Sequence, residues 1–192
     1  MISQFRTVAN QLTLMRLIFI PFVIINVVDG NYLWAMVLFV AAGLSDGLDG
    51  VLARKLQQQT LLGEYLDPIA DKLLLSSLFL VLSFESKIPW KFTIVVFTRD
   101  VCILMVSAVL YIAVGLRNFR PSIFGKMNTF AQVAAVFSVM LFEIYPEPWI
   151  YRTDRALLWA VFALTCASAV HYIVLVGYRI KAMGEARDAV AK

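Results

Sequence analysis

The stretch YLWAMVLFVAAGLSDGLDG, residues 32–50, joins two kinds of sequence that rarely meet. Up to Leu44 it carries no charge at all; then Asp46 and Asp49 appear three residues apart among glycines. The next apolar run opens in a similar way, with Asp67 and Asp71 four residues apart. Surroundings that tolerate both features at once define the fold and restrict the chemistry.

Composition supplies the surroundings. Of 192 residues, 61% are hydrophobic and only 16% charged, and the mean hydropathy of +0.80 is well above that of a water-soluble domain of this length. Runs able to cross a hydrocarbon core of ~30 Å, roughly 20 residues each, fall at 12–28, 32–57, 61–84, 91–115, 126–143 and 154–180. They use nearly the whole chain and leave only short connections. The sequence therefore predicts an all-α integral membrane protein, one domain over 1–192, with six transmembrane helices in a compact bundle. Ahead of the first run, Ile2, Phe5 and Val8 recur at three-residue spacing and predict a short N-terminal interfacial helix. No small-residue cleavage pattern follows that run, so it reads as a span and not as a signal peptide. Pro21 is expected to kink it.

Basic residues set the orientation, because Lys and Arg collect in short cytoplasmic loops. One side of the predicted bundle holds both termini together with Arg54, Lys55, Arg117, Arg120 and Lys126, against Lys87, Lys91, Arg152 and Arg155 on the other. Both termini are expected in the cytoplasm. The formal charge of +4 then forms a basic rim beside anionic headgroups, and nucleic-acid binding is excluded for want of a basic soluble surface. Cys102 and Cys166 lack a CxxC or His partner and are expected as buried small hydrophobes; His171 stands alone in the last span. Trp34, Trp90, Trp149 and Trp159 fall near span ends and read as interfacial anchors.

The carboxylates carry the functional signal. Each charge near the centre of a membrane helix costs about 2.5–3.5 kcal/mol, so four cost on the order of 10 kcal/mol and need compensation. Spacings of three and four place each pair on one helix face. If the two helices pack together, the four carboxylates converge and repel unless cations intervene. Oxygen-only ligands suit hard divalent ions such as Mg²⁺, Mn²⁺ or Ca²⁺, and zinc would call for His or Cys. Two such ions neutralise four charges, in the arrangement that clamps an in-line displacement at phosphorus. Gly43, Gly47 and Gly50 form a smooth face for close approach by a neighbour or ligand, and Arg54 brings a guanidinium to the membrane edge.

Read in order, Asp46, two residues, Asp49, Gly50, two residues, Ala53, Arg54, eight residues, Gly63, three residues, Asp67, three residues and Asp71 resembles the hallmark motif of the CDP-alcohol phosphatidyltransferases. The resemblance extends through LDPIADK, TRD at 98–100 and FGKMNTFAQ at 124–132. It implies attack by an acceptor hydroxyl on the β-phosphate of a CDP-linked lipid, CDP-diacylglycerol, with release of CMP. It further implies that Asp46, Asp49 and Asp67 hold two divalent cations, Mg²⁺ or Mn²⁺, joined by Asp71, which is also the general base. Asp49, Gly50, Ala53, Arg54 and Gly63 then line the nucleotide site. A homodimer among membrane lipids is implied as well, in a bacterial inner membrane with the site facing the cytoplasm.

Two branches with glycerol-type acceptors are nearest. One, phosphatidylglycerophosphate synthase, uses glycerol 3-phosphate; the other, CMP-forming cardiolipin synthase, uses phosphatidylglycerol. Both acceptors are anionic, which makes Arg99, Arg120, Lys126 and Asn128 the acceptor-binding candidates, with Arg117 beside them. Arg99 lies inside an apolar span and needs Asp100, a site carboxylate or a substrate phosphate as partner; Lys72 and Arg99 also read as counterions for the acids. The glycerophosphate branch usually has a second Lys two residues after the first, where this chain has Asn128, and Glu where it has Asp100. Those two positions look more like the cardiolipin branch, while glycerol 3-phosphate remains the commonest acceptor for short members of this kind. A cation transporter or an intramembrane prenyltransferase also buries acids, but the first lacks an inverted repeat here and the second uses other spacings.

Overall fold

A computed structural model of the protein describes the backbone of residues 8–56, 61–114 and 123–190. Within them, the side chains of 46–56, 61–69 and Asp71, among others, lie outside the described residues. The described residues form six α-helices and no strand: α1 (Val8–Val28), α2 (Tyr32–Leu56), α3 (Leu61–Phe84), α4 (Trp90–Val114), α5 (Ile123–Ile144) and α6 (Pro148–Val190). Five of the six follow the apolar runs to within a few residues. The sixth starts earlier than expected and runs 43 residues. Pro148 explains the early start, since its fixed φ suits the first helical position and its missing N–H costs nothing there. Glu147 precedes it and accepts from the N–H groups of Ile150 and Tyr151, both at 3.1 Å. The predicted interfacial helix lies mostly outside the described residues, 1–7 being undescribed, and Val8 already belongs to α1.

Two turns hold the helices of one end in antiparallel pairs. After α1, Asn31 N–H donates to the Asn26 carbonyl (2.8 Å) and Gly30 N–H to that of Val27 (3.1 Å). Gly30 adopts φ 74°, the left-handed setting in which this pair of bonds caps a helix C-terminus. The α3–α4 turn repeats the pattern, Lys87 N–H reaching Leu82 (2.8 Å) and Ser86 N–H reaching Ser83 (3.0 Å). Here Ser86 takes the left-handed position, at φ 58°. Ser83 and Thr93 hydroxyls, 2.5 Å apart and buried, then tie α3 to α4.

Packing divides the bundle into α1, α2 and α3 on one side and α4, α5 and α6 on the other. α1 lies against α2 and α3, α6 against α4 and α5, and α2–α5, α3–α4 and α3–α5 contacts join the halves. Buried residues recur at helical spacing, as in Ala35, Phe39 and Ala42 of α2 or Leu75, Leu78, Phe79 and Leu82 of α3. Alanines at Ala35, Ala42, Ala131 and Ala135, all buried, let the helix backbones approach closely.

The outside of the bundle is apolar too. Met15, Ile18, Phe22, Ile94, Met105 and Val170 are all exposed, a surface suited to hydrocarbon and unsuited to water. Among the residues whose side chains are described, Gly125–Ile144 and Pro148–His171 are long and apolar enough to cross a membrane, and Leu17–Val28, Tyr32–Ser45 and Lys72–Phe84 are shorter apolar stretches within α1, α2 and α3. Cys102 and Cys166 are free and exposed, which corrects the expectation that they are buried. A small apolar side chain on an outward face needs no protein partner when the surroundings are themselves apolar. At Gly43 an added Cβ would meet nothing within 4 Å, so this glycine is not a site of close helix approach.

Candidate active site

Asp46, Asp49, Gly50, Ala53 and Arg54 occupy the C-terminal turns of α2, and Gly63, Asp67 and Asp71 the first turns of α3. Both stretches are α-helical, so positions three and four apart fall on one face of each helix. The side chains of the four aspartates lie outside the described residues, as do residues 57–60 that join the two helices. Arg117 and Arg120 fall in 115–122, also outside them. Between Ser45 and Asp71 the chain contains no His and no Cys. That oxygen-only donor set fits a hard divalent cation.

An apolar cavity of about 670 Å³ begins one helical turn from each acidic pair. Gly43, three residues before Asp46, and Leu74, three after Asp71, line it together with Phe39, Phe130, Phe137 and Trp149. α2, α3, α5 and α6 thus share one apolar cleft that starts beside the acidic helix ends.

A polar layer crosses the bundle at the start of this region. Lys72 Nζ donates to Asp100 Oδ1 at 2.8 Å. The same oxygen accepts Arg99 Nη1 at 2.7 Å, while Arg99 Nη2 donates to Ser168 Oγ at 2.7 Å. Nearby in sequence, Thr165 Oγ1 donates to Asn128 Oδ1 at 2.9 Å. Arg99, Asp100, Asn128, Gln132, Thr165 and Ser168 are all buried. Satisfaction is incomplete among the described residues, where Arg99 Nε, Asp100 Oδ2, Asn128 Nδ2 and both amide atoms of Gln132 have no hydrogen-bond partner.

Of the acceptor candidates, Arg99 is therefore buried on Asp100 and Ser168, Asn128 has no exposed surface, and Lys126 is exposed at the start of α5. Sequence reading missed Gln132, Thr165 and Ser168. Their signal was present, since Gln132 follows Asn128 by four and Ser168 follows Thr165 by three, two polar stripes on otherwise apolar helices.

The family model for CDP-alcohol phosphatidyltransferases matches residues 6–172. The chain belongs to that family. A probable phosphatidylglycerophosphate synthase of Mycobacterium tuberculosis is 31% identical over 180 residues, covering 89% of this chain and 82% of its own. A CDP-diacylglycerol–glycerol-3-phosphate 3-phosphatidyltransferase of Aquifex aeolicus is 37% identical over 143 residues, 72% of this chain and 78% of its own. A probable CMP-forming cardiolipin synthase of Drosophila melanogaster is 33% identical over 188 residues, 88% of this chain and 57% of its own. As a CDP-alcohol phosphatidyltransferase the chain is a phospholipid-synthesising transferase, and its apolar helices accord with a membrane protein.

Proposed function

We propose that this phosphatidyltransferase moves the phosphatidyl group of CDP-diacylglycerol to glycerol 3-phosphate. The observation that carries the reading is the apolar cleft beginning one turn from both acidic pairs. A lipid diphosphate has those two parts, an anionic head that needs cations and acyl chains that need an apolar channel. On this reading Asp46, Asp49, Asp67 and Asp71 hold two divalent cations, Mg²⁺ or Mn²⁺. When bound, these ions align the diphosphate and stabilise charge on the departing CMP.

The chain's own groups perform the rest. Asp49, Gly50, Ala53, Arg54 and Gly63 hold the nucleotide. The acceptor hydroxyl oxygen forms a bond to the β-phosphorus as the bond from that phosphorus to the bridging oxygen breaks, and the oxygen leaves with CMP. Asp71 takes the hydroxyl proton. Arg99, Arg120, Lys126 and Asn128 receive the anionic acceptor. Six spans, a site facing the cytoplasm, a bacterial inner-membrane location and a homodimer complete the reading, over a single domain of residues 1–192.

The cardiolipin alternative has one specific observation in its favour. At the position where the glycerophosphate branch carries a second Lys, Asn128 is fully buried and bonded to Thr165, so no charge for a free phosphate is supplied there. The test is CMP release by protein purified in detergent with CDP-diacylglycerol and Mg²⁺ or Mn²⁺, comparing glycerol 3-phosphate with phosphatidylglycerol. Release with glycerol 3-phosphate is expected. Release with phosphatidylglycerol alone replaces this reading by cardiolipin synthesis, and release with neither overturns both.

A further inference from the structure

Lys72 follows Asp71 by one residue, about 100° further round α3. Its ammonium meets Asp100 of α4, and the same carboxylate oxygen receives Arg99, whose second amino group reaches Ser168 of α6. One oxygen atom thus ties α3 to α4 and, through Arg99, to α6. The Asp100 side chain is 3% exposed, that of Arg99 6% and that of Lys72 21%, so water is largely kept from the shared carboxylate while the Lys72 end of its bond is partly open. Interdigitated side chains such as Leu78, Phe79 and Leu82 already set the approximate rotation of α3. A directional contact between an ammonium and a buried carboxylate refines it at one chosen turn.

We propose that Asp100 is a positioning residue, which by holding Lys72 fixes the rotation and depth of the α3 turn that carries Asp71. The proposal rests on the reading of Asp71 as metal ligand and base. Asp100 itself touches neither substrate nor cation. Its effect on α3 passes through Lys72, while its bond to Arg99 acts on the acceptor side of the site.

The rival explanation, a long-range effect of charge, differs in sign. Removing the Lys72 charge would favour cation binding at the acids, and removing the Asp100 charge would oppose it. Positioning predicts the same sign for both.

The test uses the full-length protein in detergent as wild type, Lys72→Met, Asp100→Asn, the double variant and Lys72→Arg. Mn²⁺ affinity is read from the paramagnetic resonance of free Mn²⁺, and turnover from CMP release. Both single variants are expected to weaken Mn²⁺ binding and, at saturating Mn²⁺, to lower kcat about tenfold, equivalent to about 1.4 kcal/mol, with the KM for the CDP-lipid unchanged under that condition. The double variant should be no worse than the poorer single one, and Lys72→Arg should keep most of both properties. Opposite signs for the two single variants, or additive losses, overturn the proposal. Lys72→Met leaves the bonds among Arg99, Asp100 and Ser168 in place, so wild-type Mn²⁺ affinity and turnover in that variant overturn it even if Asp100→Asn fails to fold. A wild type that binds Mn²⁺ yet releases no CMP with either acceptor defeats the reaction assigned above, while the Mn²⁺ measurements still decide the role of Asp100.

Discussion

The layer around Asp100 and the ion pair of Lys87 with Glu143 are both charged contacts between helices, built on opposite principles. At the α3–α4 turn, Lys87 Nζ meets Glu143 Oε2 at 2.5 Å with side chains 30% and 19% exposed, and the ammonium also lies 5.5 Å from the centre of the Tyr32 ring. One cation faces one anion, and neither leaves a buried atom without a partner. Near Asp100, two cations share one carboxylate and several buried polar atoms stay unsatisfied. A purely structural contact tends toward the first form, because an unpaired buried polar atom costs about 1–3 kcal/mol. The second form persists where a site needs charge held ready, and it lies in the part of the bundle that also carries the acidic pairs and the mouth of the cleft.

Breaking the acidic end should therefore stop chemistry and spare the fold. Asp71→Asn is expected to lower CMP release at least a thousandfold, about 4 kcal/mol in the barrier, with thermal stability and CDP-lipid binding nearly unchanged. Wild-type release from that variant would remove Asp71 as base. Next in size, Asp49→Ala should weaken cation and nucleotide binding together, by about tenfold or more each. A titration in which metal affinity stays constant would contradict a shared cradle.

At the other end the order reverses, and stability should respond while turnover does not. Lys87→Met is expected to cost about 0.5–1 kcal/mol, the range for a partly exposed pair, with kcat unaltered. The hydrogen bond to Glu143, opposed by partial burial, raises Lys87 above its ordinary 10.5. A raised value in the folded state means that the pair's stabilisation is complete below the unfolded value and fades as pH climbs through the folded one. Thermal scans should thus show wild type and Lys87→Met converging only above about pH 10.5; convergence near neutrality would refute the assignment. Comparable in size and opposite in sign, Ser86→Gly should stabilise by about 0.5–1 kcal/mol, since only glycine takes the left-handed position without a steric penalty.

These two ends were not equally legible in the sequence. Hydropathy located all six helices, and the spacing of Asp46, Asp49, Asp67 and Asp71 marked the motif, because both signals are local. The early start of α6 was hidden by Arg152, a charge just ahead of the run at 154–180 that bounds an apolar run without ending a helix. The pairing of Lys72 with Asp100 was hidden for another reason. Asp100 lies 28 residues from Lys72, and their contact depends on how α3 and α4 are rotated against each other, a property no single segment encodes. The cysteines were misplaced by treating apolar as synonymous with interior, which fails where the surroundings of the protein are apolar as well.

α6 carries one further consequence. At 1.5 Å per residue its 43 residues extend about 64 Å, about twice the thickness of a ~30 Å hydrocarbon core. Apolar sequence continues through Val176 and gives way to charge from Arg179 onward, while the helix itself runs unbroken to Val190. A swing of about 10° about Ser168 would move that end, ~33 Å away, by ~6 Å, and the bond from Arg99 to Ser168 is what ties this long helix to the polar layer.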